Sequence, residues 1–191
     1  TTLAYRYYPD NDSSKVTSYG YLYNWLAVMG GSSSSSSNPS TVQGICPIGW
    51  HVPSDSELTE LIDYVSNQRQ YVCGDDSTYI AKALADSAGW DTTPGTCIIG
   101  SMHSSNNATG FSALPAGLYY GIHCSTNFSY FAYFWTATQS DNANACICDL
   151  NYGIEYVVRF PRTKDIGFSV RCLRDDSTSI PTVNTYAVTN I

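Results

Sequence analysis

Charge is scarce in this chain: Asp, Glu, Lys and Arg make up 13% of its 191 residues, about half the usual share of a globular domain. Lys and Arg number 9 against 16 Asp and Glu, for a net charge of −7. A groove that tracks nucleic-acid phosphates needs clustered cations, so no nucleic-acid partner is expected. No apolar run approaches the roughly 20 residues of a membrane-spanning helix, and direct membrane insertion is not expected either. No Cys-x-x-Cys pair occurs, and the three histidines, His51, His103 and His123, are scattered. That spacing speaks against a structural zinc site, and neither a metal nor a cofactor is expected. The chain also opens without a signal-like stretch, as a mature protein or an excised module does.

What is present is apolar and aromatic. Apolar residues reach 43%, enough for one domain with its own core. The 16 Tyr, 4 Trp and 6 Phe stand beside abundant Ser and Asn, the composition of a surface that touches ligands through rings and hydroxyls. Cysteines fall at positions 46, 73, 97, 124, 146, 148 and 172. The odd count leaves at least one free thiol or an intermolecular bridge, and one or two disulfides suit an exported protein.

Along the chain, Leu22, Trp25, Leu26 and Met29 repeat at helical spacing and predict a helix over Tyr19–Met29, closed by Gly30 and Gly31. The tract Ser32–Ser37 reads as a solvent-exposed loop. Ser54 with Glu57 three residues on is a capping box. Leu58, Leu61, Ile62 and Val65 then give one buried helical face over Ser54–Val65. A further helix is expected over Ser77–Ser87, with Ile80, Ala83 and Leu84 inward. From Phe111 on the pattern is that of short strands, with alternation at Tyr130–Trp135 and at Phe168–Leu173. Helices first and strands later predict an α+β class with an antiparallel sheet. A polar break at Asp175–Ser179 suggests a domain over 1–176, followed by a linker and new element over 177–191.

Five segments carry a resemblance: Tyr19–Trp25 (YGYLYNW), Cys46–Ser54 (CPIGWHVPS), Gly110–Gly117 (GFSALPAG), Phe134–Thr138 (FWTAT) and Gly167–Cys172 (GFSVRC). Together they resemble the Fibrobacter succinogenes major paralogous domain of Bacteroidetes surface proteins, over roughly residues 3–176. That resemblance implies a C-type lectin-like fold in the version shared with formylglycine-generating enzymes, with its N- and C-terminal strands close together. It thereby implies a Cys46–Cys172 bridge. Cys73 and Cys97 form a second candidate pair, with free buried thiols as the open alternative. The tail from Pro181 to Ile191 resembles the first strand of an immunoglobulin-like or fibronectin-like repeat, as in a module of a larger extracellular protein.

A subset of that fold serves as the variable protein of diversity-generating retroelements, and this chain resembles such a protein. Its expected role is non-enzymatic binding of a protein or glycan on a bacterial or phage surface. The alternative is an invariant adhesive or structural module. The stretches between framework motifs follow neither strand alternation nor turn chemistry. The expected face comprises Tyr120, Ile122, His123, Cys124, Thr126, Cys146, Ile147, Cys148, Asp149, Gly153, Ile154, Glu155, Tyr156, Val158, Phe160, Pro161, Arg162, Asp165 and Ile166. Randomised adenines of AAC or AAT codons can yield every residue of 146–166 except Glu155 and Lys164, but the excluded types are rare throughout the chain. Tyr119, Tyr152 and Val157 are equally open to a core role. For His51 a structural hydrogen bond is expected. Glu-Pro-Asn and Trp-Asn-Asp, the sugar motifs of calcium-dependent lectins, are absent. Residues around Cys146 and Cys148 do not match the formylglycine-generating pattern, so no catalytic residue is assigned.

Overall fold

The computed structural model describes residues 3–121, 124–175 and 188–190, with Cys124, Ser125 and the last three by backbone alone. Ile122, His123 and the boundary region 176–187 lie outside the described residues. Among the described residues four short α-helices, α1 (Val16–Tyr19), α2 (Trp25–Met29), α3 (Asp55–Ser66) and α4 (Ala81–Leu84), accompany ten strands. These are β1 (Arg6–Tyr7), β2 (Leu22–Tyr23), β3 (Trp50–His51), β4 (Leu118–Tyr120), β5 (Cys124–Thr126), β6 (Phe131–Gln139), β7 (Asn144–Asn151), β8 (Val158–Thr163), β9 (Arg171–Arg174) and β10 (Val188–Asn190). All ladders between them are antiparallel: β1 with β2, β4 with β5, β6–β7–β8, and β10–β9–β3. The class is α+β.

The β6–β7–β8 sheet is covered on both faces. Tyr133, Trp135 and Ala137 with Ala145 and Ile147 enter one core beside Val28, Val52 and Phe168. Ala132 and Phe134 with Cys148 and Leu150 enter the other, under Leu58, Val65, Ile80 and Ile99. Trp135 is fully buried, its ring edge-on to Phe168 and its Nε1–H donating to Tyr23 O at 2.8 Å.

The capped helix forms as its sequence dictates. Glu57 N–H donates to Ser54 Oγ at 3.2 Å and Ser54 N–H to Glu57 Oε2 at 2.8 Å. The other expected helices are shorter. Gly20, at φ 73°, breaks the chain after α1, and Leu22–Tyr23 pair with Arg6–Tyr7 as strand, so only Trp25–Met29 is helical in the second half of Tyr19–Met29. Gly30 supplies the left-handed cap. Ser77–Ser87 reduces to the single turn of α4, because Asp76 holds Thr78 in a turn and Ala85 pairs with Ala113. Lys82 of that turn is buried, its ammonium donating to Asn106 Oδ1 at 2.7 Å and to the carbonyls of Ile98, Ser101 and Met102. The serine tract is exposed except at Ser34 and Ser35, which bond Ala137 O at 3.0 Å beside β6.

Two disulfides close the fold, Cys46–Cys172 and Cys73–Cys97, with Cα–Cα separations of 5.8 and 5.4 Å. Such bonds persist in oxidising compartments.

His51 lies between two acids. Its Nε2 meets Glu57 Oε1 at 2.8 Å and its Nδ1 meets Asp175 Oδ1 at 2.5 Å. Burial alone pushes the imidazole pKa down, but the bonds to Glu57 and Asp175 outweigh it and hold it above its ordinary value. Burial likewise pushes Glu57 up, and the bonds from His51 and Ser54 bring it below its ordinary range. A raised histidine stabilises fully below about pH 6.5 and less as pH climbs through its folded value. A depressed glutamate stabilises fully above about pH 4.5 and less as pH falls through its folded value. The network is therefore strongest between about pH 4.5 and 6.5. We expect the stability gap between wild type and His51→Gln, measured by urea unfolding, to be widest there and to narrow towards pH 9. A gap independent of pH would contradict this account.

Candidate ligand-binding face

Strand alternation sorts the expected residues before any contact is considered. On β7, Ala145, Ile147 and Asp149 share one face while Cys146, Cys148 and Leu150 share the other. Opposite them on β8 stand Arg162, Phe160 and Val158 on the first face, and Pro161 and Arg159 on the second.

The first face carries the candidate site. Phe160 and Val158 are half-buried and Arg162 is exposed, with its guanidinium 4.4 Å from the centre of the Phe160 ring. Beneath them Tyr133 stacks on Phe131 at 5.2 Å and accepts a hydrogen bond from Asn127 Nδ2 at 3.3 Å. That bond brings the β4–β5 hairpin, with exposed Tyr120 and Thr126, to the sheet. Asp165 is exposed on the same flank, where Tyr7 and Tyr119 stack at 3.8 Å. Tyr119 exchanges backbone hydrogen bonds of 2.9 and 2.8 Å with Gly167. A side chain at Gly167 would come within 2.7 Å of the Tyr7 ring, so glycine lets this stack lie on the backbone. Asp165 and Tyr119 both act on Tyr7, whose phenol is raised first by burial and then by Tyr119.

Asp149 is the unusual group. It is 6% exposed, and its Oδ1 is buried without a hydrogen-bond partner among the described residues. Burial pushes its carboxyl up to about 7, against a smaller downward pull from Arg162. It in turn acts on Tyr133, whose phenol burial pushes up to about 12.

Exposure was expected of the whole set, and four members correct that expectation. Ile147 is fully buried in the first core, Ile166 is 8% exposed in the same core, Cys148 is 5% exposed in the second, and Asp149 lies under the face. For Ile147, Cys148 and Asp149 the reason is shared: β7 is the central strand of a sheet packed on both faces, whereas Ile166, after β8, is carried into the first core beside Phe168. Others are exposed or half-exposed but lie elsewhere. Half-buried Cys146 and exposed Pro161 look towards α3, where Arg159 donates to Thr59 Oγ1 at 2.5 Å and pairs with Asp55 at 3.2 Å. Gly153, Ile154, Glu155 and Tyr156 form the β7–β8 turn, beside α4, with Ala81 N–H donating to Glu155 O at 2.9 Å. The pair Cys146 and Cys148 is unbonded, as their parallel projection predicts. Burial raises both thiols, Cys148 to about 12. The side chain of Cys124 lies outside the described residues. The sequence reading missed Asn127, Tyr133 and the Tyr7–Tyr119 stack; the tyrosine excess was their one visible signal.

A model of the Fibrobacter succinogenes major domain matches residues 1–174. The chain belongs to that family. The match spans all five of the motifs singled out above and stops at the end of β9. No curated protein and no solved structure matches the chain. Among the described residues no helix is long and apolar enough to cross a membrane, and no group of three or more His, Cys, Asp or Glu could hold a metal ion.

Proposed function

We propose that this family member is a non-enzymatic binding module that recognises a protein or glycan on a cell or phage surface, and that its binding face is diversified. The observation that carries the reading is the strip Val158–Phe160–Arg162 on a rigid edge strand, laid over a buried acid with an unpartnered oxygen. An apolar and aromatic strip with a guanidinium at its rim is the chemistry of a binding hot spot. Pro161, without an N–H, and the two flanking arginines keep this edge from pairing with another strand, so side-chain recognition is favoured over strand addition. Thiols raised by burial are poor nucleophiles, which supports the non-enzymatic side. The lectin-like architecture, and export to the surface of a cell or virion, belong to the same reading, and the two disulfides agree with it.

The core positions Ile147, Cys148 and Ile166 are excluded from the proposed variable set, which narrows to Tyr120, Thr126, Val158, Phe160, Arg162 and Asp165. Genomic DNA tests diversification. A reverse transcriptase gene nearby, with a second copy of the stretch encoding Leu118–Ile166 that differs at adenines, is the expected result. Absence of both from the complete genome would make this an invariant adhesive module.

A further inference from the structure

Arg171 lies on the opposite side of the sheet from the binding face, in the GFSVRC segment. It is 7% exposed and no acid is within ion-pair distance among the described residues. Its guanidinium lies over the rings of Phe111, at 4.5 Å, and Phe134, at 5.4 Å. Its Nη1 donates to Phe111 O and its Nη2 to Ser112 O at 3.0 Å, while its Nε is buried without a partner among the described residues. Burial lowers its pKa to about 10, with Asp86 acting in the opposite direction from outside ion-pair contact. An interior cation without a counter-charge is costly.

Beside this cation is a cavity of about 50 Å³, lined by Leu58, Leu61, Phe111, Phe134 and Cys148 with Arg171 itself. Glu57 also lines it, but both of its carboxylate oxygens are engaged, by His51, Ser54 and Ser40. A water needs only about 10–15 Å³ on this scale, and a dry cavity of about 150 Å³ takes benzene. The space between those limits suits a few heavy atoms. An apolar wall with one convergent donor is the form of a small-molecule site, and guanidinium with carboxylate is among the strongest charge-assisted pairs.

We propose that this cavity is a binding site for a one- or two-carbon carboxylate, held by the Arg171 guanidinium with its carbon end against Leu58, Leu61 and Phe134. The ligand supplies the missing counter-charge and a partner for Nε–H. Occupancy therefore stabilises the fold by mass action. The site is separate from the face of Phe160 and Arg162 and does not depend on that face binding anything.

Sodium acetate and sodium formate are the probes, with sodium chloride at equal ionic strength as control, on the whole chain. The expected result is a saturable shift of the Arg171 Nε–H resonance and a melting temperature raised by about 2–5 °C at saturation. Cys148→Leu, which fills the cavity, abolishes both effects, and Arg171→Lys weakens binding at least about tenfold, the loss of one charge-assisted bond. Phe160→Ala leaves binding unchanged. An Nε–H signal that carboxylates do not move, or a shift that chloride reproduces, overturns the proposal. So does acetate binding that survives Cys148→Leu unaltered. Should Arg171→Lys fail to fold, the wild-type titration and Cys148→Leu decide the matter alone.

Discussion

Replacing Cys46 and Cys172 together by alanine is expected to lower the unfolding free energy by about 5 kcal/mol. The two residues are 126 apart in sequence, and a cross-link over such a distance removes a large share of the entropy of the unfolded chain. Both sulfurs are buried in the first core, beside Val52 and Val170, so the variant also loses packing there. In a domain of this size the change amounts to a melting temperature lower by about 10–20 °C. The same substitution at Cys73 and Cys97 costs less, about 3–4 kcal/mol, because that bridge closes only 24 residues. Urea unfolding of both double variants measures the difference. Equal losses would mean that the long bridge does not govern stability.

Asp149→Asn is expected to act in the opposite direction, stabilising the domain at pH 8 by about 2–4 kcal/mol. The sign follows from burial. The folded carboxyl titrates at about 7, far above its ordinary 3.8, so the folded state favours the protonated acid. That preference costs nothing below about pH 4 and grows as pH rises through 7, where the native state must hold a desolvated charge. The amide carries no charge at any pH. The melting temperature of Asp149→Asn should therefore exceed that of wild type by about 5–15 °C at pH 8 and converge with it near pH 4. A gap that stays constant from pH 4 to pH 8 would show that the carboxylate is solvated.

The parts of the fold legible in the sequence are those fixed by neighbouring residues. Ser54 and Glu57 cap their helix within a single turn, and Gly30 ends another, so local rules sufficed. Leu22 and Tyr23 fit a helical spacing, but their strand partners, Arg6 and Tyr7, are remote in sequence and only pairing reveals them. The Cys46–Cys172 bridge was legible through family resemblance, and the Cys73–Cys97 bridge remained one of two alternatives. The candidate site was legible at its rim, in Tyr120, Val158, Phe160 and Arg162. It was illegible at its floor: Cys146–Asp149 looks erratic because β7 meets different cores on its two faces, and alternation cannot distinguish a variable strand from one buried on both sides. In the sequence Arg171 is one more residue of an alternating strand, since a cavity between helix and sheet leaves no periodic trace.

Deep sequencing of this coding region from a natural population carrying the gene tests directly the proposal that this face is a diversified binding face. The account predicts that amino-acid changes concentrate at Tyr120, Thr126, Val158, Phe160, Arg162 and Asp165, while Trp135, Ile147, Phe168 and Cys172 stay fixed. Changes spread evenly over exposed residues of the whole domain, or confined to the α3 side around Cys146 and Pro161, would contradict it.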